Sequence, residues 1–223
     1  MKKFGLILVT VIALSQVLAG CSRPITGNET ADKALVAFND IVKRNLDNKV
    51  YHEPMLHWGL ALPTGDKLEW VKNTNKSTAD IVMEMDVVPF IKAGLDAKKL
   101  DENKYVVKPS SKINNQPVRD LLFHRFNVSD KNEMAQGSDD AMRRLLKQKP
   151  ELVKFDQIEK KFVLTLDGGF EVRWTESLGL NDTDFEFIIE AAPLIAAGVE
   201  PYKLKGSGWE LKGDTFIKSY TLK

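Results

Sequence analysis

The chain writes one passage twice. Residues 57–100, "HWGLALPTGDKLEWVKNTNKSTADIVMEMDVVPFIKAGLDAKKL", lie over residues 161–204, "KFVLTLDGGFEVRWTESLGLNDTDFEFIIEAAPLIAAGVEPYKL", at a constant offset of 104 with no gap. The two lines share 11 identities in 44 columns, where unrelated segments of average composition share about three. Apolar residues stand over apolar residues at Trp58/Phe162, Leu60/Leu164, Leu62/Leu166, Leu68/Val172, Trp70/Trp174, Ile81/Phe185, Met83/Phe187 and Met85/Ile189. Such an internal match constrains the fold before any single residue is considered, because whatever unit forms must form twice.

The columns predict the elements of that unit. Trp58, Leu60 and Leu62, like Phe162, Leu164 and Leu166, alternate with smaller or polar residues, the period of a strand with one buried face. Turns follow at Pro63-Thr64-Gly65-Asp66 and Asp167-Gly168-Gly169, then strands carrying Trp70 and Trp174, then "DIVMEMD" and "DFEFIIE". "PFIKAGLDAKKL" and "PLIAAGVEPYKL" each read as a short helix, with Pro89 or Pro193 in its first turn and Gly94 or Gly198 in the left-handed position that ends it. A packing role as a plug over a sheet edge is expected of this phrase. One more strand is expected at "KYVVKP" and "GWELKG", and a last one at "TFIKSYTLK". "NQPVRDLLFHRFN" fits a helix as well as a strand.

Each copy opens with a helix. Thr30 is placed to cap one with the stripe Leu35, Phe38, Ile41, Val42 and Leu46, and Ser138 to cap one with Met142, Leu145 and Leu146. The expected fold is α+β: two tandem copies of a helix, an antiparallel three-strand meander, a short helix and a hairpin, over residues 30–129 and 130–223.

The N-terminus supplies an address. In "MKKFGLILVTVIALSQVLAGC", Lys2 and Lys3 precede an apolar run, Phe4 to Ala19, shorter than the roughly 20 residues of a bilayer span. Charged start, apolar middle and small-residue end follow the order of a secretory signal peptide. Leu18-Ala19-Gly20-Cys21 resembles the lipobox of bacterial lipoproteins. The resemblance covers the first tenth of the chain. It implies cleavage before Cys21, leaving residues 1–20 as signal peptide and 21–29 as a lipidated tether. It further implies acyl chains such as palmitate on Cys21 and residence in the cell envelope, on the exported side of a membrane (outer membrane or cell surface). Cys21 is the one cysteine of the chain, and a lone thiol in an exported protein forms no internal disulfide; lipidation accounts for it. Two or more acyl chains anchor stably where one holds marginally.

Charge excludes one class of partner. The formal charge is +1, and loss of Lys2 and Lys3 with the signal peptide makes it −1. Basic and acidic residues are mixed, with no block to track phosphates, so nucleic acid is not an expected partner. Few residues stand in patterns that carry reaction chemistry. "DKNEMAQGSDDA" lacks the fifth-place ligand and sixth-place glycine of a calcium loop. No G-x-S-x-G elbow occurs, and "DGG" at 167–169 precedes a strand rather than the helix a phosphate cradle needs. Trp70 and Trp174 share the inward register with Leu68 and Val172 and are expected in the core. No cofactor and no metal site are expected. The expected function is a non-catalytic binding or scaffolding module for another envelope component, protein or glycan, with its site in a cleft between the copies. The alternative is a hydrolase of cell-wall or surface polymer using His52, Glu53, His57 and His124 of the first copy alone.

Overall fold

The structure, a computed structural model, describes residues 26–45, 49–52, 57–71, 81–102, 104–108, 112–113, 116–117, 121–126, 140–178 and 183–222. The signal segment, Cys21, Glu53, Ser138 and the boundary expected near residue 130 lie outside the described residues.

Helix α1 (Glu29–Arg44) buries Leu35, Phe38, Ile41 and Val42, recurring at helical spacing on one face. Its cap is Asn28, not Thr30. Asn28 is still extended, and its side chain accepts the Ala31 N–H at 3.0 Å, while Thr30 is already within the helix. Thr26 is fastened just before it, donating both its backbone N–H and its hydroxyl to Asp32 Oδ1 at 2.8 Å.

An antiparallel meander follows: β1 (Lys49–His52), β2 (His57–Ala61), β3 (Lys67–Val71) and β4 (Ile81–Asp86). After the short helix α2 (Val88–Lys92), β5 (Val106–Lys108) leads through the small β6 (Lys112–Ile113) and β7 (Gln116–Pro117) pair to β8 (Leu121–Phe126). β8 returns beside β4, giving the order β1-β2-β3-β4-β8-β5. Helix α3 (Asp140–Gln148) opens the second half. There follow β9 (Val153–Asp156), β10 (Lys161–Leu166), β11 (Phe170–Thr175), β12 (Phe185–Glu190), α4 (Ala192–Ala196), β13 (Trp209–Lys212) and β14 (Thr215–Tyr220). Their order, β9-β10-β11-β12-β14-β13, is that of the first sheet. The fold is α+β, with two six-stranded antiparallel sheets.

The meander has four strands where three are expected from the alternation. The extra strands, "KVYH" and "VKFD", are four-residue edge strands too short to show a period. The ambiguous "LLFHRF" is a strand, β8, which takes the fifth position of the sheet, paired with β4 on one side and β5 on the other. Met83 pairs with His124 and Phe187 with Lys218. The offset between the halves thus falls from 104 at β4/β12 to 94 at β8/β14, and the ten extra residues are spent around the β6–β7 hairpin.

The halves share one core. Helix α1 packs on β9 and β11 of the second sheet and against α3, while α3 packs on β3 of the first. The Phe38 ring meets Trp70 edge-on at 5.5 Å and Trp174 at 5.6 Å, a geometry favoured by aromatic quadrupoles. Trp70 and Trp174 are both buried, in one apolar cluster that runs through both halves.

The short helices end as expected, and Phe90 of α2 packs on Trp209 of β13, an edge strand of the second sheet. Gly94 and Gly198 take φ of 105° and 103°, and the N–H groups of Leu95 and Val199 return to Phe90 O and Leu194 O. The chain then crosses to the other half. Asp96 N–H donates to Ala197 O and Glu200 N–H to Ala93 O, each at 2.8 Å. The phrase is where the two halves join. A Cβ on Gly94 would stand 2.6 Å from Gly198 O, and one on Gly198 2.7 Å from Gly94 O.

Gly94→Ala therefore adds a backbone clash to the strain of a positive φ. It is expected to cost about 2–4 kcal/mol in urea unfolding. Gly206→Ala, at φ 84° with nothing within 4 Å, is expected to cost about 1 kcal/mol. Equal losses at the two positions would contradict the close approach.

Candidate functional site

Among the described residues, two places stand out for their chemistry. The first is the turn between β2 and β3. Thr64 sits there at φ 77°, a costly conformation for a β-branched residue. Its hydroxyl donates to Asp66 Oδ2 at 2.9 Å. Asp66 is fully buried (0% exposed). Its Oδ1 accepts the Asp86 N–H at 2.8 Å, and its Oδ2 also accepts from Tyr220 OH at 3.0 Å and from Lys218 Nζ. Lys218 and Tyr220 come from β14, so this cluster ties the second half to the first.

β14 sends Phe216, Lys218 and Tyr220 inward by alternation. The Lys218 ammonium, 3% exposed, lies 5.6 Å from the Trp209 ring centre and 5.8 Å from that of Tyr220, close enough for cation–π attraction. Burial, then the Asp66 charge and hydrogen bond, pushes the Tyr220 hydroxyl well above the usual tyrosine range. Four donors converge on Asp66 and none of the three side chains meets solvent. Groups so enclosed hold one another. A second link runs alongside: Tyr105 packs on Phe170 at 5.4 Å and donates to Glu190 O at 3.4 Å, and Lys104 pairs with Glu190 at 3.1 Å. Burial pushes the Tyr105 hydroxyl up as well, with the Glu190 charge adding to it.

The histidines do not gather. His52 and His57 stand opposite one another across β1 and β2. His124 lies on β8, three strand spacings from β2 and three residues along the ladder from the His57 row. That puts it about 14 Å across and about 10 Å along from His57. Among the described residues no group of three or more metal-ligating side chains clusters, and no helix is long and apolar enough to cross a membrane.

The second place is a depression of about 390 Å³ where α1 crosses the second sheet. Glu29 and Lys33 form one wall, Gln157 and Lys160 the other, with Phe155 and Phe162 below. At the glycine contact the halves pack closed, Phe90 meeting Trp209 at 5.3 Å; this recess, with Glu29 and Lys33 from the first half and Gln157 and Lys160 from the second, opens between the halves. No sequence spacing brings Lys33 beside Lys160, so this recess was illegible. Lys218 did leave a signal. A lysine at an inward position of a strand needs a buried partner, and Asp66 stands where the second turn has Phe170.

Comparison with protein-family models, with curated proteins and with solved structures finds no match for this chain.

Asp66→Leu leaves Lys218 buried without its counter-charge and is expected to lose about 3–5 kcal/mol in urea unfolding, as is Lys218→Met for Asp66. The double variant is expected to lie closer to wild type than either single one, because replacing both charges removes the unpaired ion. Additive losses would show that the two side chains are not coupled.

Proposed function

We propose that this protein is a lipid-anchored lipoprotein of the bacterial cell envelope, built from two tandem copies of one α+β unit. In this reading it serves as a non-catalytic binding or scaffolding module for another envelope component, a protein or a glycan. The lipobox-like Leu18-Ala19-Gly20-Cys21 and the lone cysteine support the anchor. The shared strand order, the constant 104-residue spacing up to the short helices and the reciprocal Asp96/Glu200 backbone bonds support the duplication.

The observation that carries the functional reading is the Asp66–Lys218–Tyr220 cluster. The residues best equipped for acid–base work are enclosed and saturated by one another. They stabilise a rigid two-part body, and recognition is left to surfaces such as the recess beside α1. Only four residues separate Cys21 from Thr26, which the fold already grips; the body therefore rides close to its anchor, on the exported face of the membrane.

In cells, the wild-type chain is expected in the membrane fraction with a mature N-terminus at Cys21 carrying acyl mass. Cys21→Ser is expected to stay uncleaved or to leave that fraction. The detergent-solubilised full chain is expected to retain one envelope protein or glycan through washing. A free, unmodified Cys21 thiol on the purified chain would contradict the anchor, and turnover of a wall polymer by that chain would contradict the non-catalytic reading.

A further inference from the structure

The turn joining β9 to β10 presents an isoleucine to solvent in a fixed way. Asp156 Oδ1 accepts the N–H groups of Ile158 at 2.8 Å and Glu159 at 3.0 Å, and these bonds hold the Asp156 carboxyl below the usual range. Lys160 closes the turn in the left-handed region, at φ 54°. Ile158 is left at the tip, 93% exposed, the most exposed of the large apolar side chains described. An aspartate-locked turn with a fully presented aliphatic side chain spends apolar surface that a turn does not need, since polar residues serve there.

The position of this tip gives it a partner. Gln157 and Lys160, on either side of it in the turn, face Glu29 and Lys33 of α1 across the recess. Thr26, fastened to the same helix by Asp32, is five residues from Cys21. Five residues span at most about 18 Å. An acylated Cys21 thus keeps the start of α1 within about 18 Å of the membrane surface, and the Ile158 turn shares a recess with that first turn of the helix. The charges nearby are matched rather than basic: Lys33 pairs with Glu29 at 2.6 Å and Arg173 with Glu159 at 3.3 Å. Attraction to anionic lipid is therefore not the driving term.

We propose that the Ile158 turn is a membrane-contact point that enters the headgroup–acyl boundary of the bilayer holding the anchor and fixes the orientation of the body on it. This rests on the proposed lipidation of Cys21. The occupant is a lipid surface of any headgroup charge, and the contact is apolar and insensitive to salt.

The test uses the full-length lipidated chain in phosphatidylcholine vesicles, with an environment-sensitive fluorophore on Ile158→Cys; acylation leaves Cys21 no thiol to label. Glu210→Cys is the control, exposed on β13 at the opposite edge of the second sheet from β9. Ile158 is exposed, so its replacement leaves the core intact, and unfolding of the labelled chain checks this. Spin-labelled lipids are expected to quench the Ile158 probe about two-fold and the Glu210 probe hardly at all, equally at low and high salt. Vesicle flotation separates the two ideas. A chain that floats while its Ile158 probe is unquenched, or quenched no more than Glu210, overturns this proposal and leaves the anchor standing. A chain that does not float overturns both. Shielding of Ile158 from aqueous quencher without lipid quenching assigns the turn to a second copy of the chain and overturns it too.

Discussion

The structure depends on a backbone-to-backbone approach that only two glycines permit. Gly94 and Gly198 sit carbonyl against Cα across the junction, and the next residues exchange N–H groups in both directions, Asp96 to Ala197 and Glu200 to Ala93. A side chain at either glycine would hold the halves apart. With contact made, the short helices α2 and α4 seat Phe90 against Trp209 and Phe216, and the two sheets close on a common core. Phe38 completes it from the side, touching Trp70 and Trp174 alike. Helix α1 is followed in the chain by the first sheet but packs on strands of the second, so the first half has no complete core of its own.

Equivalent positions in this frame carry different chemistry. Lys218 and Tyr220 of β14 meet the buried Asp66. The same register positions of β8 hold His124 and Phe126, and the place of Asp66 is taken in the second turn by Phe170, against which Tyr105 packs. One junction is ionic and hydrogen-bonded, the other largely aromatic. A buried ion pair adds little net stability over a well-packed apolar pair but penalises any arrangement that separates it. Placing the buried ion pair on one side only, with the partly exposed Lys104–Glu190 pair on the other, distinguishes the two halves and favours a single pairing of them.

The α+β class, the strands at β2, β3, β4, β10, β11 and β12 and the short helices were legible because each buries one face, and burial imposes a period. Gly94 and Gly198 were legible as helix ends, but their close approach was not: a glycine that ends a helix and a glycine that admits a neighbour look the same in one dimension. β1 and β9 escaped because four-residue edge strands carry no readable alternation. β8 was ambiguous because "LLFHRF" is apolar at both strand and helix spacing. Of the site, Lys218 went unread although its strand alternation turns it inward beside Phe216 and Tyr220, whereas the recess between Lys33 and Lys160 depends on a helix packing across halves. His52 and His57 drew attention as a chemical pair, and the ladder does set them opposite one another, but His124 lies three strands away from the second of them.

The central claim is that the halves are welded at the glycine contact into one cooperative body. Amide hydrogen exchange of Asp96 and Glu200 measures this most directly, because neither side chain is buried and an amide without its bond across the junction would exchange at the rate of an open loop. The account predicts that both amides are protected to the same degree, and that both exchange only in the global opening that also releases the β4 and β12 amides. Rapid exchange at either residue, or separate opening of the two sheets, would contradict it.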